Sequence, residues 1–360
     1  MSTRILRTAA VAALAALSLA ACGGNGSTTQ TTGEPTSPAA AETMPTQGTE
    51  PAGETSEPAD GEASGPADGS SYRIGITQIV AHPSLDAMRE GFKDAIAEAG
   101  IEATYDEQNA QGDVSTAASI AGTFASGEYD LIYAIATPTA QAVAQAITDL
   151  PIVFGSVTEP EGAGLVDSWE SPGGNITGTS DKSPVKDQLE LLLQLAPDAT
   201  TVGVVYSSNE ENSLIQLGWA EEEAAALGLT IETATISNSS ELLQAAESLD
   251  VDAFYVFTDN TVVSAIETLI GVAEERQVPV ITSDADSVAR GAVASFAFDY
   301  YDMGVQSGEM AVRILQGADP GSIPVETSQN LILTLNPGAA ERMGVDVPQE
   351  VLDRADETID

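Results

Sequence analysis

From Tyr72 onward the chain alternates short β-branched runs with Ala-rich stretches of helical length, and few folds accept that rhythm. The strand-like runs are RIGITQIV (73–80), IEATYDEQ (101–108), DLIYAIA (130–136), PIVFGSV (151–157) and NITGTS (175–180). After a helical Val185–Leu195 the pattern returns as TVGVVYSS (201–208), TIETATIS (230–237), DAFYVFTD (252–259), PVITSD (279–284) and AVASFAF (292–298). Apolar runs of this length, separated by helices, predict parallel sheets covered on both faces. Two sets of about five βα units point to two similar lobes rather than one wide sheet. A join near Thr179–Ser183, a helix over Tyr300–Gln316 and a strand over Asn330–Leu335 give three crossings between the lobes. The expected division is 72–180 plus 296–325 for the N-terminal lobe and 181–295 plus 326–360 for the C-terminal lobe.

The first 71 residues are other material. Arg4 and Arg7 precede an apolar Ala/Leu/Val run from Ala9 to Ala20, and small residues lead into Cys22, the only cysteine. A basic start, a short apolar run and small residues at the cleavage point describe an export signal over 1–21 rather than a spanning helix. Cys22 stands where the lipobox of bacterial lipoproteins places its modified cysteine. A lipidated Cys22 would fix the protein to the outer face of the cell membrane, outside the cytoplasm. It would also leave no thiol for a disulfide, a metal or a nucleophile. Residues 22–71 are rich in Gly, Ser, Thr, Pro and Glu, with no Lys, Arg or aromatic residue. Such a stretch cannot offset its ordering entropy and reads as an acidic, disordered tether.

The remainder is strongly acidic: 47 of the 55 carboxylates lie in 72–360, against ten Lys and Arg. Phosphate contacts need a basic surface, so nucleic acid is not an expected partner. The acidity suits a salt-tolerant host at least as well as a cationic ligand, so charge does not identify the substrate.

In open parallel sheets, ligands sit beyond the carboxyl ends of the strands. In the first lobe those ends carry Gln78, followed by His82, Pro83, Ser84, Leu85 and Asp86, then Ala136 and Thr137, then Ser156, Val157 and Thr158, then Thr179, Ser180 and Asp181. In the second lobe they carry Ser207, Asn209, Glu210, Asn212 and Ser213, then Thr258, Asp259 and Asn260, then Ser283 and Asp284. Two facing edges lined with hydroxyls, amides and carboxylates suit a polar small molecule. Thr137-Pro138 reads equally well as a plain helix cap with Pro in the first turn and as a helix N-terminus offering N–H groups to a carboxylate. Ser156 and Thr158 at a neighbouring strand end favour the second reading. Asp259, Asp284 and Glu210 are each placed to meet an ammonium, and the sequence does not rank them.

Other chemistries find little support. His82 is the sole histidine and cannot assemble a metal cluster; beside Pro83 it reads as a loop residue. No nucleophile elbow or phosphate-binding loop is present. No cofactor, metal or catalytic residue is expected. A sugar or nucleoside receptor would want stacking aromatics in the cleft, and neither Trp169 nor Trp219 lies at a strand end. A ligand-sensing lipoprotein or a lipoprotein enzyme is the alternative of a different class.

IGITQIVAHPSLDAMREGFKDAIAEAG (74–100), NAQGDVSTAASIA (109–121), IATPTAQA (135–142), PIVFGSVTEPEGAGLV (151–166), NITGTSD (175–181), SSNEENS (207–213) and TDNTV (258–262) together resemble one family. It is the substrate-binding lipoproteins of ABC transporters with a type I periplasmic-binding-protein-like fold, in the branch associated with tryptophan and other aromatic amino acids. Ala81 departs from the pattern, where members often carry an acidic residue. The resemblance implies an extracytoplasmic receptor that closes around a small amino acid, tryptophan or phenylalanine, and docks on an ABC permease; a monomer is expected. An amino acid offers a carboxylate and an ammonium. Thr137, Ser156 and Thr158 are expected to hold the carboxylate, and Asp259 with Asn212 or Asp284 the ammonium. Pro83, Leu85 and Tyr300 would line the side-chain pocket.

Overall fold

The computed structural model describes residues 71–359. The export signal, Cys22 and the tether therefore lie outside the described residues, apart from the last residue of the tether.

The first lobe begins β1 (Tyr72–Gln78), α1 (Pro83–Glu98), β2 (Ala103–Asn109), α2 (Val114–Ser126), β3 (Leu131–Ile135), α3 (Thr137–Ala146), β4 (Ile152–Gly155) and β5 (Ile176–Ser180). The second continues α4 (Val185–Leu195), β6 (Thr201–Ser207), α5 (Glu211–Leu227), β7 (Thr230–Ile236), α6 (Leu242–Ser248), β8 (Ala253–Val256), α7 (Asn260–Val263), α8 (Ile266–Arg276), β9 (Val280–Thr282), α9 (Asp286–Ala289) and β10 (Ala294–Phe298). The chain then returns to the first lobe for α10 (Tyr300–Leu315) and β11 (Glu326–Thr327). It ends in the second with β12 (Leu331–Leu335), α11 (Pro337–Arg342), α12 (Gln349–Arg354) and β13 (Glu357–Thr358).

The first sheet has the order β11-β5-β4-β3-β1-β2 and is parallel throughout. The second has the order β13-β12-β10-β9-β8-β6-β7. It departs from the expected all-parallel sheet at one ladder, because β12 runs antiparallel to β10. The last crossing delivers the chain at the opposite end of that sheet, which forces the reversal. Two crossing points also move. All of β10 pairs within the second sheet, so the chain leaves that lobe after Phe298 rather than at residue 296. β11 pairs with β5, so the return falls after Thr327 rather than at 326.

β3 and β4 are buried along their whole length, as central parallel strands must be when helices cover both faces. Each lobe has its own apolar core, one around Phe92, Phe124, Tyr133 and Phe154, the other around Phe254, Tyr255 and Phe257. α10 lies along α1. The contact is close because glycine stands at the crossing: a Cβ on Gly304 would fall 2.1 Å from the Met88 carbonyl oxygen, and one on Gly91 2.2 Å from that of Tyr301. Among the described residues no helix is long and apolar enough to cross a membrane.

Candidate functional site

The carboxyl ends of both sheets face one narrow cleft, whose empty space, open solvent included, comes to about 320 Å³. Of the residues expected at the ligand, Ser84, Leu85, Ala136, Thr137, Ser156, Thr158 and Tyr300 line it from the first lobe. Asn212, Asp259, Asn260 and Asp284 line it from the second. His82, Asp181, Thr258 and Val263 line it as well.

Ala136 and Ser156 follow adjacent strands and both hold positive φ, 79° and 55°. A residue with a Cβ pays on the order of 1–3 kcal/mol for such a conformation, a cost that concentrates at functional sites. Ala136, and not Thr137, occupies the N-cap position of α3; Thr137 is the first helical residue and Pro138 the second. The cap reading of Thr137 is thereby corrected. Its hydroxyl is buried without a hydrogen-bond partner, and Pro138 contributes no N–H, so the helix end presents a free hydroxyl beside the amides of Thr137 and Thr139.

Ser156 and Thr158 do something other than await a carboxylate. Ser156 Oγ donates to Asp181 Oδ2 at 2.6 Å, Thr158 Oγ1 to Asp181 Oδ1 at 3.0 Å and Tyr300 OH to Asp181 Oδ2 at 3.0 Å. Asp181 is 2% exposed and has no ion-pair partner among the described residues. Burial raises its pKa against the three hydroxyls that favour the charged form. An anionic cup repels a ligand carboxylate, so the expected role of Ser156 and Thr158 gives way to one in holding Asp181.

The three acids proposed for the ammonium are engaged within their own lobe. Asp259 accepts from Ser207 N at 2.6 Å, Ser213 Oγ at 2.7 Å and Val262 N at 2.9 Å, capping α7. Burial, and next the Glu210 charge, push its pKa up to about 7. Glu210 accepts from Asn260 N at 3.0 Å, Thr261 N at 2.9 Å and Thr261 Oγ1 at 2.8 Å, and does not line the cavity. Asp284 accepts from Ser287 N at 2.9 Å and Ser287 Oγ at 2.8 Å. Asn212 differs: its Nδ2 donates to the Thr258 carbonyl at 3.0 Å, while its Oδ1 is buried without a partner.

The other expected contacts turn away from the cavity. Gln78 ties β1 to α1 through Val80, Asp86 and Arg89. Val157 belongs to the first core and bonds by its amide to Thr179. Thr179 bonds to Ser307 of α10 and Ser180 to the Thr158 carbonyl. Ser207 and Ser213 serve Asp259, and Asn209 is exposed. Strand-end polarity alone does not separate ligand contacts from these local ties. Asp181 and His82 carry the same signal, placement after β5 and β1; His82 sits in the loop before α1, as expected, and also lines the cavity.

Contacts also join the lobes. Ser84 Oγ donates to Asp284 Oδ1 at 3.2 Å, Thr158 Oγ1 lies 3.4 Å from Thr258 Oγ1, and His82 Nε2 lies 3.5 Å from Asn260 Oδ1. Such short links hold only when the cleft is closed.

A family model described as ABC transporter substrate binding protein matches residues 73–359. A tyrosine-binding protein of Clostridioides difficile is 43% identical over 269 residues, covering 73% of this chain and 78% of that protein. An ABC domain from Streptococcus pneumoniae in complex with L-Trp is 36% identical with a TM-score of 0.78, over 81% of this chain and 100% of that one. A ligand-free, open structure of a substrate-binding protein with adhesive properties from Clostridium difficile is 39% identical, but its TM-score is 0.61, over 80% of this chain and 99% of that one. At similar identity the ligand-bound structure superposes better than the open one, in accord with the links across the cleft.

Proposed function

From the premise that this chain belongs to the ABC transporter substrate-binding proteins, we propose that it captures an aromatic amino acid between its lobes and delivers it to a permease for import. The observation that carries this reading is the buried Asp181 carboxylate, which has three hydroxyl donors and, among the described residues, no cation. A buried carboxylate gains most from a charged, hydrogen-bonded partner, and an α-ammonium supplies one. Asn212 Oδ1 accepts a second ammonium proton from the other lobe. The free Thr137 hydroxyl and the amides at the start of α3 receive the carboxylate. Leu85, Val263 and the Tyr300 ring flank the side chain. Ligand held from both sides favours the closed form through its differential affinity for it.

The relatives that bind tyrosine and tryptophan support the aromatic class. Cys22 carries the lipid anchor in this reading, and a Cys22→Ala chain should be recovered from the culture medium rather than the membrane fraction. The ligand test is calorimetry of the full chain with L-Tyr, L-Trp and their decarboxylated amines. Both amino acids should bind and both amines should bind far more weakly. Binding of a sugar with no response to any amino acid overturns the reading.

A further inference from the structure

We infer that His82 is a specificity-determining residue: its ring nitrogen Nδ1 accepts a hydrogen bond from the ligand's aromatic ring, so the cleft selects a ring bearing a donor, indole N–H or phenol O–H, over phenylalanine. The inference rests on the aromatic amino-acid reading above.

His82 follows β1 and occupies the N-cap position of α1, yet its side chain makes no cap bond. The residue is 8% exposed, it lines the cavity, and Nδ1 is buried with no partner. Its other nitrogen, Nε2, faces Asn260 Oδ1 at 3.5 Å. The Asn260 amide is fixed in turn, because its Nδ2 donates to Glu210 Oε2. That leaves the carbonyl oxygen, which only accepts, towards the imidazole. Nε2 must therefore carry the hydrogen, and in a neutral ring the second nitrogen is then an acceptor. Burial, the largest influence, lowers the His82 pKa to about 4, so the ring is neutral at ordinary pH. The result is an unpartnered lone pair on a first-lobe residue that lines the cleft, with its tautomer set by the second lobe.

A buried acceptor is costly to leave unpaired, and a site built around one rejects the analogue that lacks the donor. Phenylalanine would leave Nδ1 bare, whereas tyrosine and tryptophan each bring one proton to the ring edge. Asp181, Thr137 and Asn212 meet groups common to all three ligands, so they cannot make this distinction.

The test compares ligand pairs on the full chain by calorimetry: tyrosine against phenylalanine, and tryptophan against its benzothiophene analogue, in which sulfur replaces the indole N–H. On the wild-type protein the donor-bearing member of at least one pair should bind roughly 5- to 150-fold more tightly, the range set by one unpaired buried acceptor. In His82→Leu that ratio should fall to near one, with affinity for the donor-free member held. Wild-type ratios near one in both pairs overturn the inference, and because they need no variant they decide it even if His82→Leu fails to fold. Equal weakening of every ligand in His82→Leu also overturns it, since the nitrogen would then serve the shared amino-acid group. Binding of none of the four to the wild-type protein overturns the aromatic reading itself, and this inference with it.

Discussion

Ser84 of the first lobe donates to Asp284 of the second across the cleft, at 3.2 Å. Neither residue needs the other within its own lobe: Ser84 is in the first turn of α1, and Asp284 is already bonded to Ser287. The pair therefore stabilises the closed arrangement specifically. A net hydrogen bond contributes about 0.5–1.5 kcal/mol, so Ser84→Ala should weaken ligand binding by roughly 2- to 12-fold. Small-angle scattering of the unliganded variant should show a larger radius of gyration than the wild type, or the same one if both are already open.

Asp181→Asn separates ligand binding from folding. The amide keeps the shape of the side chain but cannot pair with an ammonium. Breaking one side of a buried charged hydrogen-bonded pair costs about 2–5 kcal/mol, so amino-acid affinity should drop by at least about 30-fold. Without ligand the variant should melt no lower than about 2 °C below wild type, since a buried carboxylate without a cation is itself unfavourable. A large fall in melting temperature with affinity intact would assign Asp181 to the scaffold instead.

Asp259 sets a pH dependence. Its ordinary value is 3.8, and in the fold burial and Glu210 push it up to about 7. Between those values the folded chain holds a proton that the unfolded chain has lost, so this group's contribution to stability falls as pH rises and levels off above about 7. Glu210→Gln removes the second cause and leaves burial, so the window should end at lower pH. Melting temperatures of both proteins from pH 5 to 8 measure this. An unchanged pH slope in Glu210→Gln would remove the charge coupling.

Gly304→Ala should destabilise although alanine is the better helix former. The propensity gain is about 1 kcal/mol, while the new methyl would meet the Met88 carbonyl oxygen at 2.1 Å. Overpacking of this kind costs typically about 1–3 kcal/mol, and more where backbone must move. Denaturant unfolding should show a net loss of about 1–2 kcal/mol, with ligand affinity little changed.

The sequence made the βα rhythm legible because apolar runs of strand length differ sharply from Ala-rich helical ones. Val185–Leu195 is helical from end to end, as its pattern requires. The two-residue strands β11 and β13 carry no periodicity and went unseen, and Phe296–Phe298 continued an apolar run whose lobe only pairing could assign. At the site, the strand ends were legible but the direction of each side chain was not. Asp259 and Asp181 look alike in sequence; donors arriving from Ser207, Ser213 and Val262 in one case, and from Ser156, Thr158 and Tyr300 in the other, make them different.

The close seat of α10 on α1 also dictates an order of events during folding. The first lobe needs a helix that the chain supplies only after β6–β10 of the second lobe, some two hundred residues beyond α1. Until Gly304 has reached Met88, the face of α1 that carries Met88 and Gly91 lacks its cover, and this non-local closure is slow. The N-terminal half emerges first but must wait for α10 and β11, while the second lobe can form its β6–β10 core as soon as Phe298 is made. The chain's own topology thus keeps the β1–α1 end of the first lobe from closing its core early.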